Sequence, residues 1–77
     1  MKVTVRLFAT LKDFFPKNQK KVLVELEAGS TVNEVVEYFG IPQTTPLIIK
    51  VNGRSGSKST VLKDGDRVGI FPPVGGG

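Results

Sequence analysis

The chain has 77 residues, of which 39% are hydrophobic, enough for one small domain with little apolar surplus. It contains neither cysteine nor histidine, which excludes disulfides, thiolate metal sites, a cysteine nucleophile and the usual neutral-pH general base. The net charge is +4; no apolar run approaches the roughly 20 residues of a membrane span and no leader pattern opens the chain, so a cytoplasmic protein away from the membrane is expected.

Val3, Val5 and Leu7 alternate with Lys2, Thr4 and Arg6, the period of a half-buried strand. Ala9 to Phe15 reads as a short helical turn ended by Pro16, followed by a polar turn over 17–20. Val22, Val24 and Leu26 form a second alternating strand, the expected hairpin partner of the first. Gly29-Ser30 breaks it, and Thr31-Val32-Asn33-Glu34 fits a capping box, with the Thr31 hydroxyl expected on a backbone N–H. Val32, Val35, Val36 and Phe39 then make one helical stripe. Gly40 suits the position after a helix, and Pro42 prevents continuation.

The third strand is read over Leu47 to Val51; its Leu47-Ile48-Ile49 run is apolar on both parities, which predicts cover on both faces. Asn52-Gly53 signals a tight turn. Arg54 to Thr60 reads as a polar, mobile loop. Lys63-Asp64-Gly65-Asp66 makes another turn, in which the two aspartates serve the turn rather than a metal, and Arg67 to Phe71 is the last strand. The expected core joins the inward residues of the strands to the helix stripe, from Val3, Val5 and Leu7 through Val36 and Phe39 to Val68 and Ile70. Two strands, a crossover helix and two more strands describe an α+β β-grasp: a mixed sheet of four to five strands packed on one main helix. Right-handed crossover geometry makes the first and last strands parallel neighbours.

The sequence ends Phe71-Pro72-Pro73-Val74-Gly75-Gly76-Gly77. Without a Cβ, glycines fit an extended slot too narrow for side chains, and the prolines stiffen the stem before them. A terminal carboxylate is ionised at neutral pH and a poor electrophile. The pattern therefore presents Gly77 as a group to be activated by another enzyme, with Gly75 and Gly76 threading into that enzyme; the alternative is a frayed end, which fits less well because Phe71 and Val74 flank the prolines. Parity places Phe8 and Phe71 away from the core. Exposed aromatics there would form a partner-binding patch with Pro72, Pro73 and Val74; Phe8 has the alternative of folding under the Ala9–Phe15 connection. Lys12, Lys17, Lys20 and Lys21 cluster early, and Arg54, Lys58, Lys63 and Arg67 lie later. Along the chain the aromatics do not interleave with these cations as a single-strand binder requires. This favours a solvated basic face, or one matched to an acidic partner, over nucleic acid.

Three segments carry a resemblance: the opening strand with Leu7-Phe8-Ala9, the turn Leu62-Lys63-Asp64-Gly65-Asp66-Arg67-Val68, and the ending from Phe71 to Gly77. On these the chain resembles the MoaD/ThiS family of ubiquitin-like sulfur carriers, most closely the small subunits of molybdopterin synthase. The resemblance implies a ubiquitin-like β-grasp domain over 1–74 with a flexible glycine tail over 75–77. It implies a carrier without catalytic side chains or bound cofactor. An E1-like enzyme would use ATP to adenylate the Gly77 carboxylate. A sulfur donor such as a cysteine desulfurase or rhodanese would convert it to a thiocarboxylate. A large synthase subunit, or another sulfur-accepting enzyme, would use that sulfur for molybdenum- or tungsten-cofactor synthesis. Two alternatives share the activation step: sulfur donation to thiamin or another metabolite, and protein modification through an isopeptide bond from Gly77.

Overall fold

The computed structural model describes residues 1–15 and 19–73, the side chains of residues 10, 12 and 13 excepted. The expectations for Pro16 and Lys17, for the Lys12 side chain, and for Val74, Gly75, Gly76 and Gly77 lie outside the described residues. The chain runs through β1 (Lys2–Leu7), a 3-10 segment (Ala9–Phe14), β2 (Val22–Glu25), α1 (Val32–Tyr38), β3 (Ile48–Val51), β4 (Arg54–Gly56) and β5 (Arg67–Phe71).

The strands form one sheet in the order β2-β1-β5-β3-β4. β1 pairs antiparallel with β2 and parallel with β5, while β3 pairs antiparallel with β5 and β4. This is the ubiquitin-like β-grasp. The last strand in sequence is thus the middle strand of the sheet. Its inward residues Val68 and Ile70 pack with Val3, Val5, Leu7, Val24 and Ile49 beneath the helix residues Val32, Val35 and Val36. Leu11, Phe15, Ile41 and Leu62 complete this core. They come from connections, where no periodicity flags an inward residue. Val22, Leu26, Phe39 and Val51, expected as core, are partly buried at its margin.

A seven-residue helix is marginal alone, and its ends depend on the surrounding chain. At the C-terminus Gly40 N–H reaches the Glu37 carbonyl at 3.0 Å and Ile41 N–H the Val36 carbonyl at 3.1 Å. This is a Schellman motif, with Gly40 at φ +73° and Ile41 buried. The N-terminus differs from the capping box predicted above, since Thr31 makes no side-chain cap bond. Instead the Val32 N–H donates to the Thr60 carbonyl at 3.0 Å and the Asn33 N–H to the Lys58 carbonyl at 2.9 Å. A distant loop supplies backbone acceptors to the orphan donors, and Thr31 joins an isolated bridge with Val61.

That loop belongs to the stretch read as a polar loop over Arg54 to Thr60, and for its first three residues that reading is corrected. Arg54–Gly56 is a strand paired with β3, closed by the two-residue Asn52-Gly53 turn at φ +53° and +81°. Ser57 N–H then donates to Thr60 Oγ1 at 2.9 Å, and Thr60 N–H to the Ser57 carbonyl at 3.1 Å. Backbone pairing organises a segment whose side chains carry no apolar pattern.

Candidate functional site at the end of the last strand

β5 is fixed at its start by a compact set of hydrogen bonds. The Asn52 amide donates to Asp66 Oδ1 at 2.9 Å and accepts the Arg67 N–H at 2.9 Å. Asp66 Oδ2 accepts the Lys63 N–H at 2.8 Å, and Asp64 Oδ1 accepts the Lys2 N–H at 2.7 Å. Both aspartates are engaged in holding strand ends together. The Asn52 amide, and after it the Lys63 N–H, hold the Asp66 carboxyl below the ordinary carboxylate range. Among the described residues no cluster of three or more histidine, cysteine or carboxylate side chains has metal-binding geometry.

The other end of β5 carries Phe71, Pro72 and Pro73. Phe8, just after β1, and Phe71 project from the outer face of the sheet, as parity predicts. They stack with centroids 4.2 Å apart and planes inclined by 3°. Phe8 does not fold under the connection: its backbone N–H bonds the Ile70 carbonyl at 3.1 Å, and the chain turns away at Ala9, φ +53°. The rings overhang Gly69, where an added Cβ would stand 3.3 Å from Phe71 Cε1 and 3.5 Å from Phe8 Cε2. Glycine at this position leaves the room in which the rings lie.

Ile48 is the in-register neighbour of Phe71 on β3 and is 42% exposed. This corrects the expectation that β3 is covered on both faces. Ile49 faces the core, whereas Ile48 and Lys50 face outward. Phe8, Ile48, Phe71, Pro72 and Pro73 line an apolar groove of about 460 Å³. The structure thus joins four of the proposed partner-binding residues, Phe8, Phe71, Pro72 and Pro73, in one concavity, and Val74 lies outside the described residues. Ile48 and Gly69 were missed from sequence. The signals were Lys50, whose parity marks the outward side of β3, and a glycine standing mid-strand between two core positions. The arrangement presents an apolar seat at the root of the stem, suited to docking.

The model of the Mut7-C ubiquitin family matches residues 1–75. The chain belongs to that family. A family relative, small archaeal modifier protein 3 of Haloferax volcanii, is 31% identical over an alignment covering 100% of both chains. Among solved structures, a putative molybdopterin converting factor subunit 1 from Pyrococcus furiosus is 32% identical, with a TM-score of 0.75 over 96% of this chain and 99% of that one. A chain from the protein–protein complex of subunits 1 and 2 of the molybdopterin-converting factor of Helicobacter pylori gives a TM-score of 0.63 at 24% identity, with 100% of this chain and 100% of that one covered, a likeness of fold alone. The family is thus ubiquitin-like and related to MoaD, and these relatives are named as modifiers or as subunits of a converting factor. Among the described residues no helix of this family member is long and apolar enough to cross a membrane.

Proposed function

We propose that the chain is a carrier whose Gly77 carboxylate is activated by an E1-like adenylating enzyme. The observation that carries this reading is the path of β5. It is bonded on both sides within the sheet and leads into Pro72-Pro73 beside an apolar groove. A firmly held strand gives the following glycines a fixed origin, and the groove gives the activating enzyme a place to grip. In the chemistry proposed, the carboxylate attacks the α-phosphate of ATP and releases pyrophosphate. Sulfide from a donor enzyme then displaces AMP to leave a thiocarboxylate. Delivery of that sulfur to the large subunit of a molybdopterin synthase is the favoured outcome, supported by the likeness to a converting-factor subunit.

A second reading follows from the 31% identity to a small archaeal modifier: a substrate lysine amine displaces AMP and forms an isopeptide bond. Deleting Gly77, or adding one residue after it, separates both readings from a role without the tail. Successive Cα atoms are about 3.8 Å apart, and a misplacement of about 1 Å already costs on the order of 100-fold in rate. ATP–pyrophosphate exchange with the host's E1-like enzyme is therefore expected to fall at least that far, with circular dichroism unchanged. Exchange at the wild-type rate would reject Gly77 as the reactive group. Intact mass of the protein from its host then distinguishes the two fates: an oxygen-to-sulfur exchange for a carrier, attachment to other proteins for a modifier.

A further inference from the structure

Three cations meet on the face that bears the groove. Gly69 lies in the middle of the sheet with Arg6 opposite it on β1 and Lys50 opposite it on β3. Arg67 precedes it by two residues on the same side of β5. These three cations line, with Phe8, Gly69 and Phe71, a second shallow groove of about 310 Å³ that adjoins the apolar one. Their cross-strand neighbours are Thr4, Gly69 and Ser55, none of them acidic. The carboxylate adjacent in sequence, Asp66, is engaged by Asn52 and the Lys63 N–H. Among the described cross-strand neighbours nothing compensates these three like charges around one glycine, an arrangement whose use is toward an external anionic surface.

The rings decide which kind of anion. The expectation that aromatics and cations stay apart is corrected on this face: Arg6 stands two residues before Phe8 and Arg67 four before Phe71, and the pairing of β1 with β5 brings the four together. A single-stranded nucleic acid would need open ring faces on which bases stack. Here Phe8 is covered on one side by Phe71, and the Arg6 guanidinium lies 5.8 Å from its centroid. Phe71 has Phe8 on one side and Ile48 as its register neighbour on the other. What faces outward is a pocket for a side chain. The geometry points to a protein partner that seats an apolar residue beside Phe8, Phe71 and Ile48 and sets carboxylates against Arg6, Lys50 and Arg67. Resting on the reading that this face docks the activating enzyme, the inference is that the E1-like enzyme presents an acidic rim here, which sets the rate of encounter.

The test is association kinetics of the full chain with the host's E1-like enzyme at about 50 and about 300 mM KCl, a range over which screening of exposed charges increases strongly. The association rate constant is expected to fall roughly tenfold across that range. Arg67→Glu and Arg6→Glu should each lower it several-fold at low salt and little at high salt. Arg67→Lys should retain most of it, and Phe71→Ala should act mainly on dissociation. Circular dichroism checks that each variant is folded. If salt and charge reversal leave the rate constant unchanged while Phe71→Ala still weakens binding, the acidic rim is overturned and the docking reading stands. If Phe71→Ala is also without effect while the enzyme still adenylates the chain, both fall. A uridine oligonucleotide that binds more tightly than the enzyme, and is lost in Arg67→Glu, would reassign the cations to nucleic acid and overturn the proposal.

Discussion

On the inner side of β5, Val68 and Ile70 are 1% and 0% exposed and locked into the core. On the outer side, Gly69 and Phe71 lie half-buried on an open face, one leaving room and the other filling it. The two pairs occupy consecutive positions on one backbone, so their difference comes from which side of the pleat each occupies. The inner pair decides whether the sheet exists. The outer pair shapes what the sheet offers to others. A change at one position on this strand can therefore act on stability or on recognition with little of the other.

The largest expected effect tests that separation directly. Ile70→Ala should destabilise the domain by about 2–5 kcal/mol, a large share of a small domain's total. Phe71→Ala should leave the denaturation midpoint much nearer wild type while costing at least about 1 kcal/mol of partner binding. Urea denaturation beside enzyme binding reads both quantities; equal losses of stability in the two variants would erase the distinction between the faces. Next in size, Gly69→Val keeps a strand-compatible backbone but drives branched atoms into the overhanging rings. It should displace the Phe8–Phe71 stack and weaken binding several-fold with a smaller loss of stability. An unchanged ring-proton spectrum would show that the rings do not depend on the glycine.

For Phe8 parity left the Ala9–Phe15 connection as an alternative, but the face the strand presents was legible in sequence for Val68, Ile70 and Phe71, because alternation is a local property. The β-grasp was legible for the same reason, together with the helix stripe of Val32, Val35 and Val36. Ile48 was misread because Leu47-Ile48-Ile49 contains no polar residue to mark parity until Lys50. The capping box at Thr31 failed because the acceptors come from Lys58 and Thr60, and a hydroxyl pattern carries no information about a loop arriving from elsewhere. Arg54–Gly56 was invisible as an edge strand, since main-chain pairing holds it. The Arg6–Lys50–Arg67 group was hidden because its members lie far apart in the chain and meet only across three strands.

The smallest effect concerns how β5 is anchored at its first residue. Asp66 has a folded pKa below its ordinary value of 3.8, so the stability it contributes is full above that value and is lost as pH falls through the lower folded one. Thermal midpoints should therefore be level in this respect at neutral pH and decline in acid. Asp66→Asn should make part of that decline disappear while lowering the midpoint at neutral pH. A variant with the wild-type acid profile would show that the Asn52–Asp66 contact does not tie β5 to the neighbouring turn.

The central placement of β5 also has a mechanical meaning. A pull on the chain beyond Phe71 runs along the strand, across the direction of its hydrogen bonds to β1 and β3. Both ladders are loaded in shear at once, and neither can open one rung at a time from the loaded end. An edge strand such as β4, attached on one side only, would offer half that resistance. On the function proposed above, a tail drawn into a partner would transmit tension to a strand held on both sides, and the domain would act as a stop that sets how far the chain can be drawn in.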